Sequence, residues 1–276
     1  MGYQKRTLDR RGYLQWTGAA GVAATAGLAG CLEDAENGDD DSSADDDAGA
    51  GDEDDNVIVP GTAPGFEPFQ MNVDGELVGF DIDLLEAVVA ETDYELGDWE
   101  ELEFDSLQPA LENGNIDVIA AAMTITEERQ ESIAFSEPYY SADQSVLVQT
   151  GGDVQAEELE DLEGLEVGAQ SGTTGEGIVD EELGDAVDYT SYDNYVLAVE
   201  ELERGTLDAI VIDEPVGDSF AGDRDVEVAF TFETGEEYGF AIRQGEEEIQ
   251  DALSEGIEAV EESGEYDEIT QEWFGE

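Results

Sequence analysis

The chain has no histidine, and its only cysteine is Cys31. A disulfide within one chain is excluded, and so is an ordinary zinc site built on imidazole and thiolate ligands. No metal site and no cofactor is expected. Positive charge is nearly as scarce. Eight lysines and arginines stand against 75 aspartates and glutamates, for a formal charge of −67 over 276 residues. Four of the eight, Lys5, Arg6, Arg10 and Arg11, lie in the first eleven positions, and beyond Cys31 only Arg129, Arg204, Arg224 and Arg243 remain. Such a chain has no basic patch to release phosphate counterions, so nucleic acid and anionic membrane surfaces are excluded as charge-driven partners. What is present is a hydrophobic content of 40%, enough for one or two domains with packed cores.

The acidic excess resembles that of a salt-adapted, haloarchaeal-like protein. At low ionic strength this surface repels itself and loosens the fold. At about 1 M salt the Debye length falls to roughly 3 Å and most of that repulsion is screened.

Residues 1–31 read as an address. Lys5, Arg6, Arg10 and Arg11 precede an apolar stretch of small residues from Trp16 to Gly30, too short and too rich in Gly and Ala for a membrane-spanning helix. The Arg10-Arg11 pair resembles a twin-arginine (Tat) signal, which exports folded proteins. The run Leu28-Ala29-Gly30-Cys31 resembles the lipobox of secreted lipoproteins, with the Cys31 thiol as the lipidation site. One acyl chain holds only marginally, so a two-chain lipid is implied. Residues 32–56 are rich in Asp, Gly and Ser with almost no apolar side chain, and are expected to form a disordered tether. The expected localisation is the outer face of the cell membrane.

From residue 57 onward strand and helix signals alternate. A β-branched run at 57–59 ends at Pro60-Gly61. Apolar residues at helical spacing predict a helix over 80–89, with Asp81 and Asp83 as capping residues. A short helix over 105–111, a buried strand over 116–120, a strand over 165–168, a helix over 195–203 and a strand over 209–212 follow. Two helices broken near Ser263-Gly264 close the chain. This alternation predicts an α/β fold with mainly parallel sheets. Leu111-Glu112-Asn113-Gly114-Asn115-Ile116-Asp117 is echoed by Leu202-Glu203-Arg204-Gly205-Thr206-Leu207-Asp208. Each reads helix end, glycine stop, then Asp before a strand, which suggests two lobes of similar build.

Several motifs stand in a recognisable order: Gly61-Thr62-Ala63-Pro64-Gly65-Phe66 with Gly79-Phe80-Asp81, then Phe104-Asp105-Ser106-Leu107, Ala121-Ala122-Met123-Thr124 through Arg129, Gln170-Ser171-Gly172-Thr173-Thr174, and Asp213 after Ile210-Val211-Ile212. In this order they resemble the extracellular solute-binding proteins of polar-amino-acid ABC transporters, over essentially the whole of 57–274. The resemblance implies the periplasmic-binding-protein type 2 fold, with lobe 1 at 57–141 and 237–276, lobe 2 at 142–236, and two hinge crossings. It implies that Phe66 and Phe104 offer aromatic faces to the ligand. Ala122, Thr124 and Arg129 would hold its carboxylate with Thr174, Gln170 would read its side chain, and Asp213 would accept its α-ammonium. The physics of one residue stands apart from the family: a guanidinium fork matches a carboxylate in geometry and charge. Where basic- and amide-side-chain binders often carry an Asp, this chain has Ala63, which favours a neutral polar or acidic amino acid.

The implied function is capture of an amino acid and its delivery to a membrane permease, by a monomer that is not an enzyme. Two rivals are a cyclohexadienyl- or prephenate-type dehydratase on the same fold, with Asp213 or Glu67 as acid or base, and a sensory ligand-binding module.

If the acidic surface governs stability, raising salt from about 0.1 M to about 1 M should raise the thermal unfolding midpoint by about 10 °C or more. Calorimetry across a salt series checks this; a flat midpoint contradicts it.

Overall fold

The computed structural model describes residues 56–275. The twin-arginine signal, the lipobox with Cys31 and nearly all of the tether lie outside the described residues.

In chain order come β1 (Val57–Ile58), β2 (Pro60–Thr62), β3 (Met71–Val73), β4 (Glu76–Val78), α1 (Phe80–Ala90), β5 (Glu95–Leu96), β6 (Glu100–Glu101), α2 (Phe104–Glu112), β7 (Val118–Ile119), α3 (Glu127–Gln130) and β8 (Ile133–Phe135). Then β9 (Tyr140–Gln149) enters a second sheet, joined by β10 (Glu166–Gln170), α4 (Thr174–Ile178), β11 (Asp188–Tyr192), α5 (Tyr195–Glu203), β12 (Ala209–Asp213) and α6 (Glu214–Asp223). β13 (Val226–Tyr238) leads back, and β14 (Ala241–Arg243), α7 (Glu247–Ser263) and α8 (Glu265–Phe274) complete the first lobe.

The two main sheets have the same plan. One runs β6-β2-β7-β14-β8 and the other β11-β10-β12-β9-β13. In each, three strands are parallel, with the first of them in the middle. The last two strands are antiparallel to their neighbours. The sheets are therefore mixed rather than mainly parallel. A strand that arrives straight from the other lobe needs no helical crossover and is free to pair antiparallel.

The sequence echo has a structural meaning. Asp117 Oδ2 accepts the backbone N–H of Val59 at 2.8 Å, and Asp208 Oδ2 accepts that of Glu166 at 3.0 Å. The N–H groups of Asp117 and Asp208 return to the carbonyls of Val59 and Glu166. Each aspartate thus clips the incoming first strand of its lobe to the third. Gly114 and Gly205, with φ of 73° and 72°, make the same left-handed stop after the preceding helix.

Two local expectations need correction. The first strand does end before Pro60, at Ile58, but Pro60 itself opens β2. The ladder there uses the carbonyls of Val59 and Gly61, which accept from Val118 and Ala120, so the missing proline N–H leaves no bond unmade. Asp81 and Asp83 lie in the first turn of α1, but its N-cap is Gly79. Gly79 has φ 150°, and a Cβ there would meet the Phe69 carbonyl oxygen at 2.0 Å, so glycine is required. Asp83 accepts instead from Trp273 Nε1 at 2.9 Å, tying α8 to α1.

β9 and β13 pair antiparallel where the chain passes between sheets, with Tyr140 opposite Tyr238 and Ala142 opposite Glu236. The rings of Tyr140 and Tyr238 stack at 5.8 Å, and Phe69, fully buried, meets both edge-on. Phe274 of α8 stacks on Tyr140 at 5.1 Å. The crossing thus rests on a packed aromatic cluster. Among the described residues no helix is long and apolar enough to cross a membrane.

Loss of either aspartate clip leaves a strand N–H unpaired, at about 1–3 kcal/mol each. Asp117→Ala should cost more than Asp208→Ala, because Asp117 also pairs with Arg243 at 2.7 Å. Denaturant unfolding at high salt measures both; an equal or reversed order contradicts it.

Candidate ligand-binding site

Segments of both lobes converge on one small pocket. Phe66, Phe104, Ala122, Thr124 and Arg129 line it from the first lobe, and Thr173, Thr174 and Asp213 from the second. Its volume is about 210 Å³, open mouth included. The sequence-derived residues meet here with one exception. Gln170, at the end of β10, is buried, and its Nε2 donates to the Asp193 carbonyl at 3.1 Å. It is not part of the pocket wall. Thr173, the N-cap of α4, takes a place there that sequence reasoning did not assign. Ala63 is also off the wall, packed in the hydrophobic cluster that includes Phe104, Leu107 and Met123.

Direct contacts hold the lobes together around this pocket. Arg129 Nη2 donates to the Gly172 carbonyl at 2.9 Å, and Ser171 Oγ donates to Asp105 Oδ2 at 3.1 Å. The rings of Phe66 and Tyr195 meet at 5.8 Å.

Arg129 is placed by α3, whose N-cap Thr126 accepts from the Arg129 backbone N–H. The guanidinium also donates from Nη1 to the Thr124 carbonyl at 2.7 Å and lies 5.5 Å over the Phe104 ring. Burial lowers its pKa, and the charges of Asp213, Glu236 and Glu128 oppose that shift. A guanidinium titrates so far above neutrality that it keeps its charge here. The other three arginines beyond Cys31 form ion pairs elsewhere: Arg204 with Glu200 and Glu201, Arg224 with Glu203, and Arg243 with Asp117.

Asp213 ends β12 and is buried. Its Oδ1 accepts a short hydrogen bond from Gln144 Nε2. Burial, and then the nearby Glu236 charge, pushes its pKa well above the carboxylate range, while Arg129 pulls it down.

Ala122 has φ 48°, a left-handed conformation that a non-glycine residue adopts only when its surroundings hold it. The holding group is Asp81, whose Oδ2 accepts the Ala122 N–H at 2.5 Å and the Tyr139 hydroxyl at 2.9 Å. The Ala122 N–H is therefore already taken, and the expected donation from it to a ligand carboxylate does not fit. Asp81 is fully buried, which pushes its pKa up to about 7; the bonds from Ala122 and Tyr139 pull the other way. Its Oδ1 is buried without a hydrogen-bond partner.

Sequence reasoning also missed Glu236. Its Oε2 accepts from Thr124 Oγ1 at 2.7 Å and from Thr174 Oγ1 at 2.8 Å, one hydroxyl from each lobe. Among 75 acidic residues a single Glu carries no compositional signal. Its spacing of two from the buried Tyr238 on one strand, which puts both on one face, was the available clue.

Two lobes of the same strand plan, joined by paired crossing strands and enclosing a pocket that combines aromatic faces with Arg129 and Asp213, define a periplasmic-binding-protein fold. Residues 58–276 match the model of the family described as "Bacterial extracellular solute-binding proteins, family 3", and the chain belongs to that family. It is similar to the "Probable histidine-binding protein" of Neisseria gonorrhoeae, at 35% identity over 216 residues, 76% of this chain and 80% of that one. It is similar to the "ABC transporter glutamine-binding protein GlnH" of Bacillus subtilis (strain 168), at 30% identity over 258 residues, 90% and 92% of the two chains. Among solved structures it resembles an ancestral arginine-binding protein bound to arginine, with a TM-score of 0.76 and 37% identity, covering 79% of this chain and 98% of that one.

An acid whose folded pKa lies above its ordinary value keeps its proton longer in the folded state. The stability linked to Asp81 is fully present below its ordinary value of 3.8 and is lost as pH rises through about 7. The stability of the wild type relative to Asp81→Asn should therefore be greatest near pH 4 and least near pH 7, with a slope of up to about 1.4 kcal/mol per pH unit. Thermal unfolding of both proteins over that range tests it; parallel curves contradict it.

Proposed function

We propose that this protein is the substrate-binding subunit of an ABC importer, that it captures an amino acid between its lobes, and that it delivers it to a membrane permease. One observation carries the reading: a guanidinium, Arg129, and a carboxylate, Asp213, line the same small pocket from opposite lobes. A zwitterion presents the matching pair of charges, its ammonium favouring the ionised form of Asp213 against the burial that raises its pKa, and a ligand held by both lobes favours the closed state through its differential contacts. The phenyl rings of Phe66 and Phe104 supply apolar faces beside those charges. The names of the relatives, which refer to histidine, glutamine and arginine, support an amino acid as the solute.

The side-chain class departs from the sequence-based preference. Ala63 is packed in a hydrophobic cluster, but an acid that the first loop lacks is present elsewhere, in Glu236 behind the pocket hydroxyls of Thr124 and Thr174. Glu236 adds a second carboxylate beside a single guanidinium. An acidic side chain would add a further carboxylate beside Asp213, Glu236 and the ligand's own α-carboxylate, against the single guanidinium of Arg129, so a neutral polar or basic amino acid fits better.

The remaining parts of the reading rest on sequence. Residues 1–31 act as a Tat-type signal with a lipobox, Cys31 carries the lipid, 32–56 form the tether, and the two lobes (57–141 with 237–276, and 142–236) work as a monomer on the outer face of a salt-adapted cell. A dehydratase reading draws on Asp213, whose buried carboxyl is pushed toward its protonated form. Incubation with prephenate or arogenate separates the two, since a binding subunit forms no product.

Arg129→Ala should weaken binding of L-arginine, L-histidine or L-glutamine by about 100-fold or more, as expected when one partner of a buried charge pair is removed. Isothermal titration at high salt measures it. Unchanged affinity, or no binding of any amino acid by the wild type, overturns the proposal.

A further inference from the structure

Beside the pocket the lobes also meet through groups that stand off its wall. Asp105, in the first turn of α2, accepts the Ser171 hydroxyl on Oδ2 at 3.1 Å. Its Oδ1 accepts the hydroxyl of Ser106 at 3.2 Å, and the helix dipole favours a carboxylate in a first turn. The acceptor is therefore aimed by its own lobe, and the donor is aimed by the other. Ser171 and Gly172 belong to the turn that leads into α4, and Glu176 fixes this turn from behind. Glu176 Oε2 accepts the Gly172 N–H at 2.6 Å, and Oε1 accepts the hydroxyls of Tyr189 and Ser191 on β11 at 2.8 and 3.0 Å. A Cβ at Gly172 would stand 3.1 Å from the Asp105 Cβ, so the turn lies directly against α2. The residues that line the pocket include neither Asp105 nor Ser171, and both partners of their bond are protein atoms. The bond forms whenever the lobes close, whatever solute lies between them.

We propose that Asp105 and Ser171 form a latch between the lobes: it stabilises the closed state without touching the solute, holds part of the solute-free molecules closed, and sets how tightly every solute is bound but not which solute is chosen. The bond exists only in the closed state, so it favours that state in the empty and the loaded protein alike. Binding includes the cost of closing the lobes, and a contact that favours the closed state lowers that cost. Selectivity between two solutes is a difference of their affinities, and a contribution common to both cancels. The pocket wall then decides the choice of solute, and the latch at its rim adds to the strength. For affinity this rests on the reading above, that a solute is captured between the lobes. The closing of the solute-free protein depends on the latch alone.

The experiment has two arms, both on the purified protein at high salt. Titration calorimetry with L-arginine, L-histidine and L-glutamine reads affinity. Asp105→Ala and Ser171→Ala should each weaken every amino acid that the wild type binds by about threefold, the size expected for one solvent-exposed hydrogen bond. The ratios of affinity among the amino acids should stay at their wild-type values. The double variant should also lose about threefold rather than about ninefold, because both substitutions remove the same bond. Small-angle X-ray scattering of the solute-free protein reads the separation of the lobes, and each variant should have a larger radius of gyration than the wild type. Unchanged affinities, altered ratios, additive losses in the double variant or unchanged scattering overturns the inference and leaves the functional reading intact, since the pocket wall is untouched. If none of the three amino acids binds the wild type, the functional reading falls, and scattering alone decides for or against the latch. Should one single variant not fold, the other carries the same expectation.

Discussion

The antiparallel pairing of β9 with β13 is the constraint on which the rest of the molecule depends. It is the place where the chain passes between the lobes in both directions, side by side. The stacked rings of Tyr140 and Tyr238, backed by Phe69 and Phe274, hold the pair against α8. A bulge in β13 between Phe232 and Glu236 turns the strand just before the crossing, and bulges commonly re-aim side chains in this way. Glu236 thereby comes to both threonines. Tyr238 bridges to Thr124 through the backbone, so the turn that carries the first-lobe hydroxyl is tied to the same crossing. Hinge and pocket are one construction.

The electrostatics of the pocket set it apart from the surface. Elsewhere the arginines are spent on exposed or half-exposed ion pairs, which contribute little each. Arg129 is the exception: half-buried, it donates to two backbone carbonyls, one from each lobe, with carboxylates nearby. Asp81, Asp213 and Glu236 are all buried, in a chain with ample surface on which to place acids. Burying a charge without partners is costly, and each of these has hydrogen-bond donors aimed at it. Asp81 serves the backbone of Ala122, Glu236 serves two hydroxyls, and Asp213 faces the pocket. Two of the three buried acids thus shape other groups and leave the third to meet the ligand.

Much of the fold could be read from the chain. Helices over 80–89 and 195–203, the break at Gly264 and the repeated Gly-x-x-Asp pattern correspond to local chemistry, namely apolar periodicity, a left-handed stop and an acid that clips a strand. The mixed character of the sheets could not be read, because strand direction depends on where a crossing strand docks. The position of Phe66, Phe104, Thr124, Arg129, Thr174 and Asp213 around one pocket was anticipated from motifs in a fixed order. Gln170 was misplaced, because a buried amide at a strand end satisfies itself on the nearest carbonyl, here that of Asp193. Glu236 was invisible against the acidic background.

The sequence by itself determined the excess of negative charge, the absence of zinc-type and disulfide chemistry, the family, and the single arginine poised in a strand-to-helix turn. These follow from residue types and short-range spacing. Tertiary structure alone decided which way the hydroxyls of Thr124 and Thr174 point and that the Ala122 N–H is already taken. The deciding partners, Glu236 and Asp81, lie as many as 112 residues away and at least 41. A hydroxyl is donor or acceptor only with respect to the group that folding brings beside it.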